Sequence, residues 1–353
     1  MSTETHNESI EDFVFVDGAK LSRNKEILIS YEGNSEHYEI PEGIRVIGEK
    51  AFAGNSQLQS ITIPESIEII KSEAFELCET LKHVSFKGTS IEIGEYCFFY
   101  CEALYDITLP ANTKSIGKCA FSNTAIDKIT IPETVGTLEG SVFNSCKALK
   151  RVVFKGTIIE IGDGCFIGCK SLYDIVLPKC TKAIGESAFE YCESLKQIYI
   201  PGTVKSISAN AFSGCKRLKD VVLSEGVKQI DYSAFSNCDD LEEIRLPYSM
   251  EHVGESAFSS LKRCFYYNPK TVFEENAFQW CGNDFRLFLP KDADYNNAAK
   301  SMPKGIIGHN TDPENGPINF DHLSFNMVPY MADVPIDILL KGSISLSTWR
   351  SLD

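Results

Sequence analysis

The sequence predicts a solenoid of about 10–11 stacked units, most of them 23 residues long, that share a parallel β-sheet. Three observations lead to this prediction. One set of phenylalanines, which begins at Phe52 and ends at Phe278, recurs at intervals of 23, 23, 23, 22, then 23 five times and finally 20 residues. An isoleucine, leucine or valine stands five residues before each of the first ten. The motif L-x-x-I-x-I begins six residues after most of them, and a proline often closes it.

Each L-x-x-I-x-I motif predicts one short β-strand. Its apolar residues alternate with outward-facing ones, as Ile61 and Ile63 do after Leu58. Pro64 ends that strand because proline has no N–H to donate to the ladder. A single unit cannot bury a core alone. Stacked units spaced by ~4.8 Å would give one continuous core and one long parallel sheet, on the order of 50 Å long.

The segment I-G-x-x-A-F-x-x-C of each unit predicts a turn that leads the chain towards its next strand. Glycine allows unusual backbone angles there, and the Ala-Phe pair fills the interior. We expect three regions in the chain. Residues 1–40 are an N-terminal tail and a β-meander cap with a tight turn at Asp17-Gly18, and residues 41–290 are the repeats. Residues 291–353 are a C-terminal capping segment and an irregular extension.

The repeat resembles the BspA-like class of leucine-rich repeats. Residues 195–215, LKQIYIPGTVKSISANAFSGC, match its pattern almost throughout. The resemblance implies a leucine-rich-repeat solenoid, a right-handed β/α superhelix. Its parallel sheet would line the concave face, and short helical turns or irregular structure would form the convex face. It also implies adhesion or protein binding, and a place on the cell surface or in the secreted fraction.

Composition narrows the classes of partner and location. The formal net charge of −15 argues against nucleic acid, since phosphate binding needs clustered Lys and Arg. The polar N-terminus MSTETHNESIEDF carries no visible signal peptide, and no apolar run approaches the ~20 residues of a membrane span. The sequence therefore predicts no membrane insertion. Without the resemblance it would indicate a cytoplasmic protein, so the location stays open.

The 13 cysteines invite a metal or redox interpretation, which their spacing does not support. Most stand three residues after a repeat phenylalanine, as Cys101 and Cys169 do, whereas Cys97 and Cys165 replace the alanine before it. Metal sites use paired cysteines that converge on one point. A regular column instead predicts buried, reduced thiols that act as small apolar side chains. We expect no metal site, no cofactor and no disulfide ladder.

No catalytic motif stands out from the repeat. The six histidines are scattered, and no serine-nucleophile or phosphate-loop motif is present. The sequence predicts a protein that is not an enzyme. Residues 78–110 and 146–178 agree at 21 of 33 positions, which indicates that the array grew by copying a block of three repeats.

The candidate binding site is the outward face of the sheet. A row of valines and one tyrosine is predicted to lie outside the core, next to charged side chains. Such a stripe suits a protein partner, although β-branched residues also favour strands for their own sake. The candidate partner-binding residues are Tyr105, Asp106, Thr108, Lys128, Thr130, Arg151, Val153, Tyr173, Asp174, Val176, Gln197, Tyr199, Asp220, Val222, Glu243 and Arg245.

The sequence therefore predicts a non-enzymatic protein-binding or adhesion module that uses the concave face of the solenoid. Two alternatives remain open. The first is a structural or surface-coat protein that associates with itself. The second is an effector whose activity lies in residues 303–353, which are short for a catalytic domain.

Overall fold

The computed structural model describes residues 13–282 and 285–288, which form a solenoid of parallel β-strands behind an antiparallel cap. The strands, in chain order, are β1 Phe13–Val16, β2 Ala19–Ser22, β3 Ile27–Tyr31, β4 His37–Glu39, β5 Val46–Ile47, β6 Ser60–Ile63, β7 Ile69–Ile70, β8 His83–Phe86, β9 Ser90–Ile93, β10 Asp106–Ile107, β11 Asn112–Ile116, β12 Lys128–Ile131, β13 Thr137–Leu138, β14 Arg151–Phe154, β15 Glu160–Ile161, β16 Asp174–Ile175, β17 Ala183–Ile184, β18 Gln197–Ile200, β19 Ser206–Ile207, β20 Asp220–Leu223, β21 Gln229–Ile230, β22 Glu243–Leu246, β23 His252–Val253, β24 Arg263–Tyr266, β25 Val272–Phe273 and β26 Arg286–Phe288.

The strands form two parallel series, one on each side of the core. The L-x-x-I-x-I motifs supply the even-numbered strands from β4 to β26, which we call the long-strand face. The odd-numbered strands from β3 to β25 form the second series, in which Ser206 pairs with Gln229 and Ile207 with Ile230. The prediction of stacked parallel strands is confirmed, but the sequence predicted one series of strands and the structure has two. Most strands of the second series have only two residues, which is too short for an alternating pattern to be recognised in the sequence.

The core is a continuous stack of the repeat phenylalanines. Neighbouring rings from Phe52 to Phe278 lie 4.8–5.7 Å apart between centroids and within 12° of parallel. Tyr31 and Tyr38 extend the stack at its N-terminal end, and Phe285 packs on Phe278 at the other. Each buried phenylalanine contributes roughly 1.5–3 kcal/mol by leaving water. Stacking therefore gives each unit the core that it lacks alone.

The turns around the repeat phenylalanines from Phe52 to Phe235 contain left-handed residues on both sides. The residue two before Phe75 is Glu73, with φ 58°, and the residue two after it is Leu77, with φ 57°. The amides of Glu73, Phe75 and Leu77 donate to carbonyl groups of the next unit, while Glu76 and Cys78 donate within their own turn. Because left-handed residues interrupt the chain here, no helical run forms, and no helix occurs in residues 13–282 and 285–288. Of the two expected alternatives, short helical turns or irregular structure, the described residues show irregular turns, so the β/α character of the superhelix is not confirmed.

Glycine after the second-series strand permits close packing of adjacent units. A Cβ atom on Gly94 would lie 2.6 Å from the amide nitrogen of Ser72, and one on Gly117 would lie 2.5 Å from that of Glu95. Both contacts are shorter than a side chain tolerates. The glycine of I-G therefore serves a close backbone approach rather than an unusual φ.

An antiparallel meander covers the N-terminal end of the stack. Strands β1, β2 and β3 pair in succession, and β3 also pairs in parallel with β5. Asp17 and Gly18 have φ angles of 47° and 80°, as a tight hairpin turn requires. The predicted N-terminal tail before Phe13 and the predicted C-terminal segment of residues 291–353 lie outside the described residues. Within residues 13–282 and 285–288, no helix is long and apolar enough to cross a bilayer.

Candidate binding face

The long-strand face presents two rows of outward side chains, because alternate residues of each strand point away from the core. The first, called the Arg151 row, is His37, Ser60, His83, Asp106, Lys128, Arg151, Asp174, Gln197, Asp220, Glu243, Arg263 and Arg286. The second, called the Tyr199 row, is Glu39, Thr62, Ser85, Thr108, Thr130, Val153, Val176, Tyr199, Val222, Arg245, Phe265 and Phe288.

The predicted site residues lie on or beside these rows. Lys128 pairs with Arg151 and Arg151 with Asp174, while Thr130 pairs with Val153 and Tyr199 with Val222. None of the 16 predicted residues belongs to the buried core. Tyr105 and Tyr173 precede their strands and are each 52% exposed. The register thus collects residues that are 23 apart in sequence into neighbouring positions on one surface.

The Tyr199 row becomes apolar from Val153 onwards. Val153, Tyr199 and Val222 are half-buried, and Val176 is 37% exposed. Phe265 and Phe288 continue the row, and their rings stack with centroids 4.2 Å apart. Phe265 was missed because the strand of the Phe258 unit begins earlier than in the other units, whereas Phe288 lies at the usual ten residues after Phe278. The alternation in RCFY and RLF was the signal that could have revealed them.

Ion pairs hold the charged side chains of this half in place. Arg151 binds the carboxylate of Asp174 on the neighbouring strand. Glu243 accepts from Arg245 at 3.1 Å and from Arg263 at 2.8 Å. The Arg245 guanidinium also lies 4.8 Å from the ring centroid of Phe265, within range of a cation–π contact. Partial burial raises the pKa of the Asp220 carboxyl group in the same row.

A basic edge borders the apolar part of the face. It comprises the exposed side chains of Lys147, Lys150, Lys170, Lys196, Lys216, Arg217 and Lys219, which lie in the turns that lead into β14, β16, β18 and β20. The amide of Lys219 donates to the carbonyl of Lys196, which stacks these two positions on adjacent units. Within the described residues, Lys147, Lys196, Arg217 and Lys219 make no ion pair, so four of these cations stay available.

The N-terminal part of the face carries a different, polar arrangement. The Tyr105 hydroxyl group is 3.1 Å from His83 Nε2, and His83 Nδ1 is 2.9 Å from Asp106 Oδ2. In the duplicated block, Tyr173 and Asp174 occupy the equivalent positions, but Arg151 replaces the histidine. Alternation along its strand places His83 on this face, but its contacts could not be predicted, because hydrogen bonds between units depend on side-chain geometry.

Eight of the 13 cysteines form the predicted column of buried thiols. All 13 are free, and Cys180 is the one on the surface. The column thiols donate to the phenylalanine carbonyl of the preceding unit, as Cys101 does to Phe75 at 3.1 Å and Cys169 to Phe143 at 3.1 Å. Burial raises the pKa of Cys146 to about 11 and keeps its thiol protonated at neutral pH. Residues 13–282 and 285–288 contain no group of three or more His, Cys, Asp or Glu side chains arranged for a metal ion.

The model of the BspA type leucine-rich repeat region matches residues 29–150 and 139–264, in six copies. The chain belongs to this family. Because the match spans the phenylalanine stack and most strands of the long-strand face, the family's repeat is the architecture described above. Leucine-rich repeat proteins commonly bind other proteins and are typically not enzymes.

Several solved leucine-rich repeat structures are similar to the chain. One from Bacteroides ovatus is 23% identical, with a TM-score of 0.42, and the match covers 81% of this chain and 95% of that one. A leucine-rich cell surface protein from Faecalibacterium prausnitzii is 21% identical, with a TM-score of 0.46 and coverages of 82% and 97%. The pneumococcal vaccine antigen PcpA is 19% identical, with a TM-score of 0.44 and 79% of each chain covered. No curated protein matches the chain.

Proposed function

We propose that the chain is a non-enzymatic module that binds a protein partner through its long-strand face, centred on the units between Val153 and Arg245. The observation that carries the proposal is the half-exposed apolar part of the Tyr199 row. The buried core contains the phenylalanine, cysteine and leucine columns and does not include these side chains. Packing of the core therefore does not explain why they are apolar. An apolar centre with a charged rim is the usual anatomy of a protein interface.

Family membership supports this choice of face. The resemblance implies a right-handed superhelix whose parallel sheet lines the concave side, and the long-strand face is the broader of the two strand series. A concave surface lets several units contact one partner.

Family membership also supports a place on the cell surface or in the secreted fraction, where adhesion would be the physiological role. A partner there would contact several adjacent strands at once, and its identity is the first thing to establish. Such multiple weak contacts suit a broad face without a deep pocket.

The decisive experiment combines three substitutions, Val176→Asp, Tyr199→Asp and Val222→Asp. Each places a negative charge at an outward-facing position of the Tyr199 row. We expect circular dichroism to report a folded chain and capture of partners from native extract to be lost, because three carboxylates would have to be desolvated in the interface.

The matched control places the same charges in the N-terminal part of the same face, as Ser60→Asp, Thr62→Asp and Ser85→Asp. This variant should retain capture. Equal capture by the wild type and the first variant would reject the proposed face. Light scattering over a range of chain concentrations separates a foreign partner from self-association.

A further inference from the structure

The part of the apolar row from Val153 to Tyr199 has surroundings that differ in charge from the chain as a whole. Residues 147–219 contain 12 Lys and Arg against six Asp and Glu, in a chain whose formal net charge is −15. The excess includes the basic edge, together with Lys155 and Lys179 on the far side of the row, both exposed. An occupant of this surface must therefore combine apolar side chains with carboxylates and carry few cations.

One segment of the same chain has that composition. Residues 312–340, DPENGPINFDHLSFNMVPYMADVPIDILL, contain five Asp and Glu and no Lys or Arg. Phenylalanine, methionine, isoleucine, leucine and tyrosine are interspersed with the acidic residues. The segment lies outside the described residues, and its sequence alone supplies both kinds of contact that the face offers.

The segment can also reach the face. Phe288, the last described residue, is itself a member of the Tyr199 row on β26. Val153 lies six strands away along that row, which is roughly 29 Å at the spacing of paired strands. The intervening residues 289–311 can extend over about 76 Å. The connection is therefore long enough to lay residues 312–340 along the whole apolar part of the row.

We infer that residues 312–340 occupy the apolar part of the long-strand face between Val153 and Val222 in the same molecule, against the basic edge. The inference rests on the proposed function, because it names an occupant of the same surface. Binding of a foreign partner then requires this segment to leave, which makes it a competitor tethered at high local concentration. The N-terminal part of the face would not hold it, since residues 36–130 contain 14 acidic and eight basic residues.

Photocrosslinking of the full chain tests the inference. p-Benzoylphenylalanine replaces Tyr199 in one variant and Thr62, from the polar part of the same row, in the control. Mass spectrometry should find Tyr199-site crosslinks to residues 312–340 at monomer mass, with a yield independent of chain concentration. The Thr62 site should give none. Absence of such crosslinks, or their appearance only in covalent dimers, would overturn the inference; the dimers would indicate a second copy as the occupant.

Charge reversal tests whether the acidic segment is attracted to the basic edge, again by the yield of crosslinks from the Tyr199 site. Lys196→Glu combined with Lys219→Glu should lower the docking equilibrium about tenfold, because two attractions become repulsions. Asp333→Lys combined with Asp337→Lys should restore the crosslink yield in that background. If the yield does not respond to either pair, charge complementarity does not hold the segment in place.

Partner capture separates failure of the inference from failure of the proposed function. Asp333→Asn with Asp337→Asn should weaken docking of the segment and raise capture by the otherwise intact chain. Loss of capture in the face variant, without crosslinks to residues 312–340, would reject the inference alone. Capture that is insensitive to the face variant would reject the proposed function itself.

Discussion

The two parts of the long-strand face share one interior and differ in nearly everything outside it. Both rest on the same phenylalanine stack and the same column of thiols. The N-terminal part presents His37, Ser60 and His83 on a predominantly acidic surface, whereas the part after Val153 presents an apolar row beside the basic edge. A repeat constrains what lies inside each unit and leaves the outward positions free to vary.

The duplicated blocks make this comparison within one chain. Of the 12 positions that differ between residues 78–110 and 146–178, most are on the surface. Ser85 corresponds to Val153 and Thr108 to Val176, which changes a polar row into an apolar one. Glu79 and Glu102 correspond to Lys147 and Lys170, which changes the sign of the edge. The two blocks therefore differ in the polarity of their outward row and in the charge beside it, while their cores are the same.

The largest expected effect tests whether the interiors are equivalent. Phe98→Ala and Phe166→Ala remove the same ring from the two blocks. Each should lower the free energy of unfolding by about 3–5 kcal/mol, because a cavity replaces a ring that is stacked on both sides. Urea unfolding followed by circular dichroism measures both variants.

The outward variants Thr108→Ala and Val176→Ala are the controls and should change stability little. If one of the two phenylalanine-to-alanine variants lowers the free energy of unfolding by less than about 1 kcal/mol and the other does not, the two blocks are packed differently.

The thiol column predicts a loss of stability at alkaline pH. Burial raises the pKa of Cys146 from 9.0 to about 11, so the unfolded chain releases this proton at a lower pH than the folded chain. The stabilisation is complete below pH 9 and is lost as pH rises towards 11. At pH 10.5 the loss from this group is about 2 kcal/mol. Urea midpoints at pH 8.5 and 10.5 measure it.

Cys146→Ser is the matched variant, since a hydroxyl group keeps a donor for the Phe121 carbonyl and does not titrate in this range. Its pH dependence should be shallower than that of the wild type. Identical curves would argue against the pKa shift. A thiol reagent at neutral pH should modify Cys180 first, which checks that the column stays buried.

Backbone strain should be relieved by glycine at equivalent positions just before the two blocks. Leu77 and Ser145 are equivalent positions with φ angles of 57° and 58°. Because glycine adopts this conformation without steric cost, Leu77→Gly and Ser145→Gly should each raise stability by about 0.5–1 kcal/mol. Ser145 gains less because its hydroxyl group donates to Asn144 at 2.8 Å.

The control Leu77→Ala removes the side chain and keeps the strain. If alanine stabilises as much as glycine does, then exposure of the leucine side chain, rather than its φ angle, is responsible. Thermal unfolding compares the three variants.

The smallest effect concerns the charged pairs that distinguish the blocks. His83→Arg would give Asp106 the guanidinium partner that Asp174 already has. The change in stability should stay below about 1 kcal/mol and vanish in 1 M salt, because the pair is exposed to solvent. A larger effect that persists in salt would mean that the Tyr105–His83–Asp106 contacts are structural. Urea unfolding at two salt concentrations decides between these outcomes.

Much of the architecture was predictable because a 23-residue period repeats each packing constraint many times. Phe98, Cys101 and Ile107 lie buried as their columns indicated. The outward positions of Val153, Val176 and Tyr199 also followed from alternation along the strand. The second strand series was not predictable, because a pair such as Ser206 and Ile207 has no pattern of its own and becomes a strand only beside its neighbours.

The sequence by itself determined the repeat, the identity of the core columns and the column of buried cysteines, since these depend on side-chain polarity and spacing along the chain. The tertiary structure decided what the stacked units do to one another. Leu77 and Tyr100 adopt left-handed conformations because their amides donate to the next unit, a requirement that no local propensity encodes. Stacking also joins Val153, Tyr199 and Phe288 into one surface, because register turns a distance along the chain into a contact in space.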